Sequence, residues 1–127
     1  MEKIMLEELR EEFSVCRVTD YSGIGPDAEY CFTGKTDEEH SLVCQTKDVP
    51  DNCTERDDGW TAFRITGVLD LSLIGILRGI ADCLAENQIG IFCISTYNTD
   101  YILVKKENRR KAVDALTAAG YGVITSF

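Results

Sequence analysis

The chain reads as an α+β fold, and three patterns in its second half carry that expectation. Leu73, Ile74, Leu77, Ile80, Ala81 and Leu84 recur at three- and four-residue steps, the stripe of an amphipathic helix. Two apolar, strand-like runs, from Ile89 to Ser95 and from Tyr101 to Val104, are joined through the polar Thr96-Tyr97-Asn98-Thr99-Asp100. Ala112, Val113, Leu116 and Ala119 share a second helical face that stops at Gly120. With Ala62-Phe63-Arg64-Ile65-Thr66 alternating before them and Tyr121 to Thr125 after, the order is β-α-β-β-α-β. That order predicts the ferredoxin-like arrangement, a sheet with both helices on one face.

Taken from the N-terminus, residues 1–11 are charged and helical in propensity, though too short for a helix standing alone. Phe13 to Val18 alternates as a half-buried strand does. Asp20 to Asp27, with Gly23, Gly25 and Pro26, is a loop. Ala28 to Thr33 and Ser41 to Thr46 are two further strands, joined by a hairpin connection from Gly34 to Glu39. Lys47 to Gly59, charged and carrying Pro50 and Asn52, is the seam between two halves, 1–59 and 60–127. Trp60, at that seam, is expected to pack between the halves. Ser72 is a candidate cap for the first long helix, whose opening turn extends to Gly75. The nearly continuous apolar run after Ile89 suits a strand covered on both faces or central in its sheet. The first half has strand patterns but no long amphipathic helix, so it reads as an abridged companion to a complete second unit.

Composition narrows the function. Apolar residues make up 44% of the 127, enough for a real core. A formal charge of -9 repels polyanions, and the basic cluster Lys105, Lys106, Arg109, Arg110 and Lys111 is interleaved with Glu107 and Asp114, so nucleic acid is not an expected partner. No run approaches a membrane span, and the acidic start does not resemble a signal peptide, which makes a cytoplasmic location the expectation. Six scattered cysteines without a C-x-x-C pair then read as buried free thiols, with Cys53 the most exposed, and neither metal nor cofactor is expected. His40 has no partner pattern for a base, and no nucleophile-and-base or paired-acid constellation marks an enzyme.

Three segments resemble the ACT domain family: Asp57-Asp58-Gly59-Trp60-Thr61-Ala62-Phe63-Arg64, Leu73-Ile74-Gly75-Ile76-Leu77, and the stretch from Ile89 to Val104 with its Ser-Thr-aromatic-x-x-Asp hairpin. The likeness is to bacterial tandem-ACT proteins, related to the ACT repeats of eukaryotic arginine sensors. It implies a non-catalytic regulatory module that binds an amino acid or related small molecule at an interface between ACT units. Carried over, it points to Gly75 and Ile76 on the strand-to-helix loop and to Thr96, Tyr97, Asn98 and Asp100 on the facing hairpin. Ser72-Leu73-Ile74 stands where many ACT domains carry an acidic residue, a departure that bears on any basic ligand. The resemblance also implies a homodimer, with regulation acting through a separate protein partner.

The residues themselves suit that ligand. Helix-start N–H groups at the positive end of the dipole match a carboxylate, and Gly75 permits close approach. Asp100 matches an ammonium, Thr96 and Asn98 can orient it, and Tyr97 can wall the pocket. The alternative is a structural or oligomerisation module without a ligand, acting through a protein partner. In that reading Gly75 relieves crowding of helix against sheet, Asn98 and Thr99 suit a tight turn, and Asp100 only caps it.

Overall fold

A computed structural model describes residues 4–66 and 75–125. The chain divides into two units, Glu11–Trp60 and Met1–Arg10 with Thr61–Phe127. The division falls between Trp60 and Thr61, and the first ten residues go with Thr61–Phe127 rather than with the unit that follows them.

In the Glu11–Trp60 unit, β2 (Phe13–Val18) is flanked by β4 (His40–Gln45) and by the start of β5 (Cys53–Thr66), antiparallel to both; β3 (Phe32–Lys35) lies outside β4. Ala28 to Cys31, expected as strand, is not; the strand begins at Phe32. The strand order is β3-β4-β2-β5, the ferredoxin-like order with both helices missing. A loop, 19–31, and a single 3-10 turn at Thr46–Asp48 stand where the helices would be. Their apolar side chains Tyr21, Ile24 and Val49 cover Cys16, Val18, Leu42 and Cys44 on one sheet face. The cover is held close. A Cβ on Gly23 would stand 2.7 Å from that of Pro50, and the Asn52 amide donates to Thr19 Oγ1 and Asp20 O, each at 3.0 Å.

The other unit is built from β1 (Met5–Glu8), the later part of β5, α1 (Ile76–Glu86), β6 (Ile91–Ser95), β7 (Asp100–Lys105), α2 (Arg109–Ala118) and β8 (Gly122–Ile124). Its order is β6-β7-β5-β1-β8. The α+β, ferredoxin-like plan is therefore present, with one addition. β1 inserts antiparallel to β5 and parallel to β8, separating two strands that a ferredoxin-like sheet pairs directly. Leu6, Phe63, Ile65, Ile80, Leu84, Ile102, Val104, Ala112 and Leu116 form the core, each at most 1% exposed.

β1 overturns the helical expectation for residues 1–11. Its alternation places Leu6 and Glu8 inward and leaves Met5 and Glu7 half-buried. Ladders on both sides and burial of Leu6 outweigh the propensity of an isolated charged segment, which is only a weak prior. Glu8, 2% exposed, is held by Arg109 at the start of α2 through Nε at 2.5 Å and Nη2 at 2.8 Å. Thr61 Oγ1 donates to the same carboxylate at 3.3 Å. Arg110 pairs with Asp114, so two members of the basic cluster are engaged within the fold.

β6 also differs from expectation. Its apolar run suggested a strand covered on both faces or central in its sheet, yet among the described residues it pairs only with β7, and its side chains are half-buried or exposed. The run encodes two apolar faces rather than a ladder position. Ile91 packs against the helix-covered core, while Phe92 and Ile94 lie on the opposite face.

Candidate functional site

The candidate site lies within the Met1–Arg10 and Thr61–Phe127 unit, where β5 ends and the β6–β7 hairpin turns. The two are tied directly: Thr99, 5% exposed, donates its hydroxyl to the Ile65 carbonyl at 2.7 Å. The hairpin therefore stands beside the strand that leads to α1. Residues 67–74 are outside the described part of the chain, and with them Ser72, Leu73 and Ile74.

Gly75 is the N-cap residue of α1, with φ 87° and ψ 4°, a left-handed conformation natural to glycine. Among the described residues no atom lies within 4 Å of where a Cβ would stand, so the backbone angle, rather than crowding by them, accounts for the glycine. Its carbonyl accepts the first helical bond, from Gly79 N at 2.9 Å. Having no side chain, Gly75 leaves the first-turn N–H groups of α1 without a capping oxygen of its own. Ile76 is half-buried and packs against the core, which fixes the helix start on the sheet.

On the hairpin, Thr96 closes the turn. Its N–H and hydroxyl donate to the Thr99 carbonyl at 2.9 and 2.8 Å, and its Oγ1 accepts from Thr99 N at 3.3 Å. That leaves the loop tip to Tyr97 and Asn98, both exposed, with Tyr97 94% accessible. Asp100 pairs in register with Ser95 at the base of the turn and is half-buried. The expected six residues thus group as a glycine-opened helix start and a rigidly tied hairpin. Thr99, read from sequence only as a turn former, is the residue that fastens the hairpin to β5. Its buried threonine hydroxyl, one residue before an apolar strand, was the available signal.

The cysteines follow the sequence in part. Cys16, Cys44 and Cys83 are buried, Cys31 and Cys53 half-buried. Cys93, expected inside its apolar run, is exposed, whereas Cys53, expected to be the most exposed, is half-buried. Among the described residues no helix is long and apolar enough to cross a membrane.

Comparison with solved structures agrees with this plan. A protein from Agrobacterium tumefaciens is 28% identical, with 100% of this chain and 96% of that one covered and a TM-score of 0.86. The aspartate kinase of Clostridium acetobutylicum is 15% identical over 94% of this chain and 35% of its own, with a TM-score of 0.68. The ligand-free regulatory subunit of aspartate kinase from Thermus thermophilus is 10% identical over 90% and 95%, with a TM-score of 0.62. At these low identities the two kinase likenesses speak for the fold alone. No curated protein matches the sequence. The ACT domain model matches residues 55–118, half of the chain. That match spans the end of β5, the glycine-opened helix and the tied hairpin, and the chain belongs to the ACT domain family, whose members are typically regulatory, non-catalytic modules that bind small molecules.

Proposed function

We propose that this protein is a regulatory sensor of an amino acid, bound where one ACT unit meets another in a homodimer. The observation that carries the reading is the pairing of two features on one unit. The N-terminus of α1 is opened by Gly75, which offers its first-turn N–H groups no side-chain oxygen. The hairpin tied to β5 by Thr99 presents a Tyr97 that nothing in its own chain covers. The first suits a carboxylate, at the positive end of a helix dipole. The second is an aromatic wall that lacks its opposite wall, as a site shared between two copies requires.

In this reading the N–H groups following Gly75 and Ile76 hold the carboxylate, Asp100 accepts from the ammonium, Asn98 orients it and Tyr97 closes over the side chain. Thr96 serves the site by shaping the turn, since its hydroxyl is already engaged there. Regulation then acts on a separate protein through the occupancy of the site.

A thermal-shift screen of the purified protein against the standard amino acids tests this. A ligand at ~100-fold its Kd adds about 2.7 kcal/mol, a rise of several degrees for a chain of this size. One selective hit, lost in Asp100→Ala and Tyr97→Ala while both variants keep the unliganded melting temperature, is the expected result. A flat screen at millimolar ligand sinks the sensor reading and leaves a structural module acting through a protein partner.

A further inference from the structure

The strands that end their ladders are not alike. β3 has four residues, three of them exposed, and carries Gly34 and Lys35. β8 is only three residues long. β6, Ile91-Phe92-Cys93-Ile94-Ser95, is longer than β8 and carries no charge. The whole stretch 87–99 is uncharged, in a chain where 28% of residues are charged. Natural edge strands are kept single by Lys, Pro and bulges, among other devices. β6 has none of these three: its register with β7 is unbroken, and among the described residues it pairs with β7 alone.

The hairpin shows which backbone groups face away from β7. Thr96 N–H donates to the Thr99 carbonyl, and Ser95 stands opposite Asp100 in the next position. Hydrogen-bonded and non-hydrogen-bonded pairs alternate along an antiparallel ladder. Ile94 and Phe92 therefore direct their N–H and C=O groups to β7, while Ser95, Cys93 and Ile91 turn theirs outward. Such a row is a template for one more strand.

We propose that the occupant is β6 of a second copy, paired antiparallel about a two-fold axis at Cys93. Two arguments choose a copy of this chain. The first is charge: at -9 each, two copies repel, and they meet most easily along a stretch that carries none. The second is register, because a strand paired with itself sets one residue opposite its own copy. With Cys93 on the axis, Ile91 stands opposite the partner's Ser95, and all three outward residues exchange hydrogen bonds. With Phe92 on the axis, Ser95 falls opposite Ile89, whose N–H is already given to the Leu84 carbonyl. With Ile94 on the axis, Ile91 falls opposite Tyr97, in the turn. The Cys93 register also sets Phe92 against the partner's Ile94, an aromatic across from a β-branched side chain. This contact names the interface on which the sensor reading rests. One position further along, Thr96 lies beside the partner's Gly90, so the partner's chain reaches the hairpin that carries Tyr97.

Sedimentation of the full chain without ligand tests the contact. The parent should sediment as a dimer, and one that is tighter in roughly 1 M salt than in about 0.01 M, where charges are felt over about 30 Å. Cys93→Lys sets like charges face to face and should weaken the dimer about tenfold or more, while the far-UV circular dichroism stays that of the parent. Cys93→Ser should remain dimeric. Diamide should join the parent dimer through a disulfide between the two Cys93 residues, and Cys93→Ser should form none. Cα atoms of a hydrogen-bonded pair lie about 5.5 Å apart, within the roughly 4.4–6.8 Å that a disulfide spans. A parent that stays monomeric at millimolar concentration overturns the proposal and leaves the edge to a strand of another protein. A dimer unmoved by Cys93→Lys overturns it as well, as does one that yields no Cys93 disulfide. Should Cys93→Lys not fold, the disulfide decides. A flat amino-acid screen beside an intact β6 dimer sinks the sensor and spares this contact; ligand binding by a monomer does the reverse.

Discussion

The two units use one strand order and finish it differently. The unit holding the C-terminal half covers its sheet with two helices and fills the space beneath with large aliphatic and aromatic side chains. The Glu11–Trp60 unit covers its corresponding face with a loop and one 3-10 turn. A thin cover suits small side chains, and its cluster includes Cys16 and Cys44, whereas the other unit's includes Phe63 and Ile102. The lesson concerns economy of cover. A ferredoxin-like strand order does not require its helices, but without them the core shrinks and its chemistry changes from hydrocarbon to thiol.

Core truncation should break the comparison most severely. Phe63→Ala, under two helices, is expected to cost about 3–5 kcal/mol, and Leu42→Ala in the thinner unit about 2–3, because a loop collapses onto a cavity more readily than a helix. Urea unfolding of both variants measures this; equal losses would show that the loop cover is as rigid as the helices. Next comes the inserted strand. Glu8→Gln removes the buried charge that Arg109 pairs with. The expected loss is about 2–3 kcal/mol, below the roughly 3–5 of a fully buried pair, because Arg109 is 33% exposed and can turn to water. Little change on unfolding would mean that β1 is held by its ladders alone.

The thiols give the comparison a pH signature. Burial raises Cys16 to about 12 and Cys44 to about 11, from an ordinary value of 9.0. A raised folded-state value means the unfolded chain sheds these protons first, so their contribution is whole below pH 9 and is lost as pH climbs toward 11 to 12. Stability should fall across that window, and Cys16→Ser should flatten the fall; an unchanged slope would remove the thiols as its cause.

The smallest effects are expected at the hairpin, where they sharpen the site. Thr99→Val removes the hydroxyl that ties the turn to Ile65 and should cost about 1–2 kcal/mol. Tyr97→Ala, at a fully exposed ring, should stay within about 0.5 kcal/mol of the parent. A larger loss at Tyr97 in the unliganded protein, read by thermal melting, would mean that the ring is already covered by another chain.

Much of this molecule was legible from residue order. The helical stripes through Ile80 and Leu84 and through Ala112 and Leu116 mark one face each, and those faces are the ones buried. The hairpin was equally plain, since two apolar runs around Thr96 to Thr99 leave no other way to turn. Gly75 read as an uncrowded or a crowded glycine equally well; its φ of 87° decides for the backbone angle. Tyr97 looked like a pocket wall, yet nothing local in a sequence tells whether a ring is covered by its own chain.

What the sequence determined by itself is whatever depends on neighbours a few residues away: the helix faces, the turn and the family those segments announce. The tertiary structure alone decided the rest. It drew a charged N-terminal segment into the sheet, because ladders on both sides and a buried Glu8–Arg109 pair outweigh local propensity. It also brought cysteines from separate stretches to one apolar cluster, because packing is fixed by the pairing of distant segments and not by spacing along the chain.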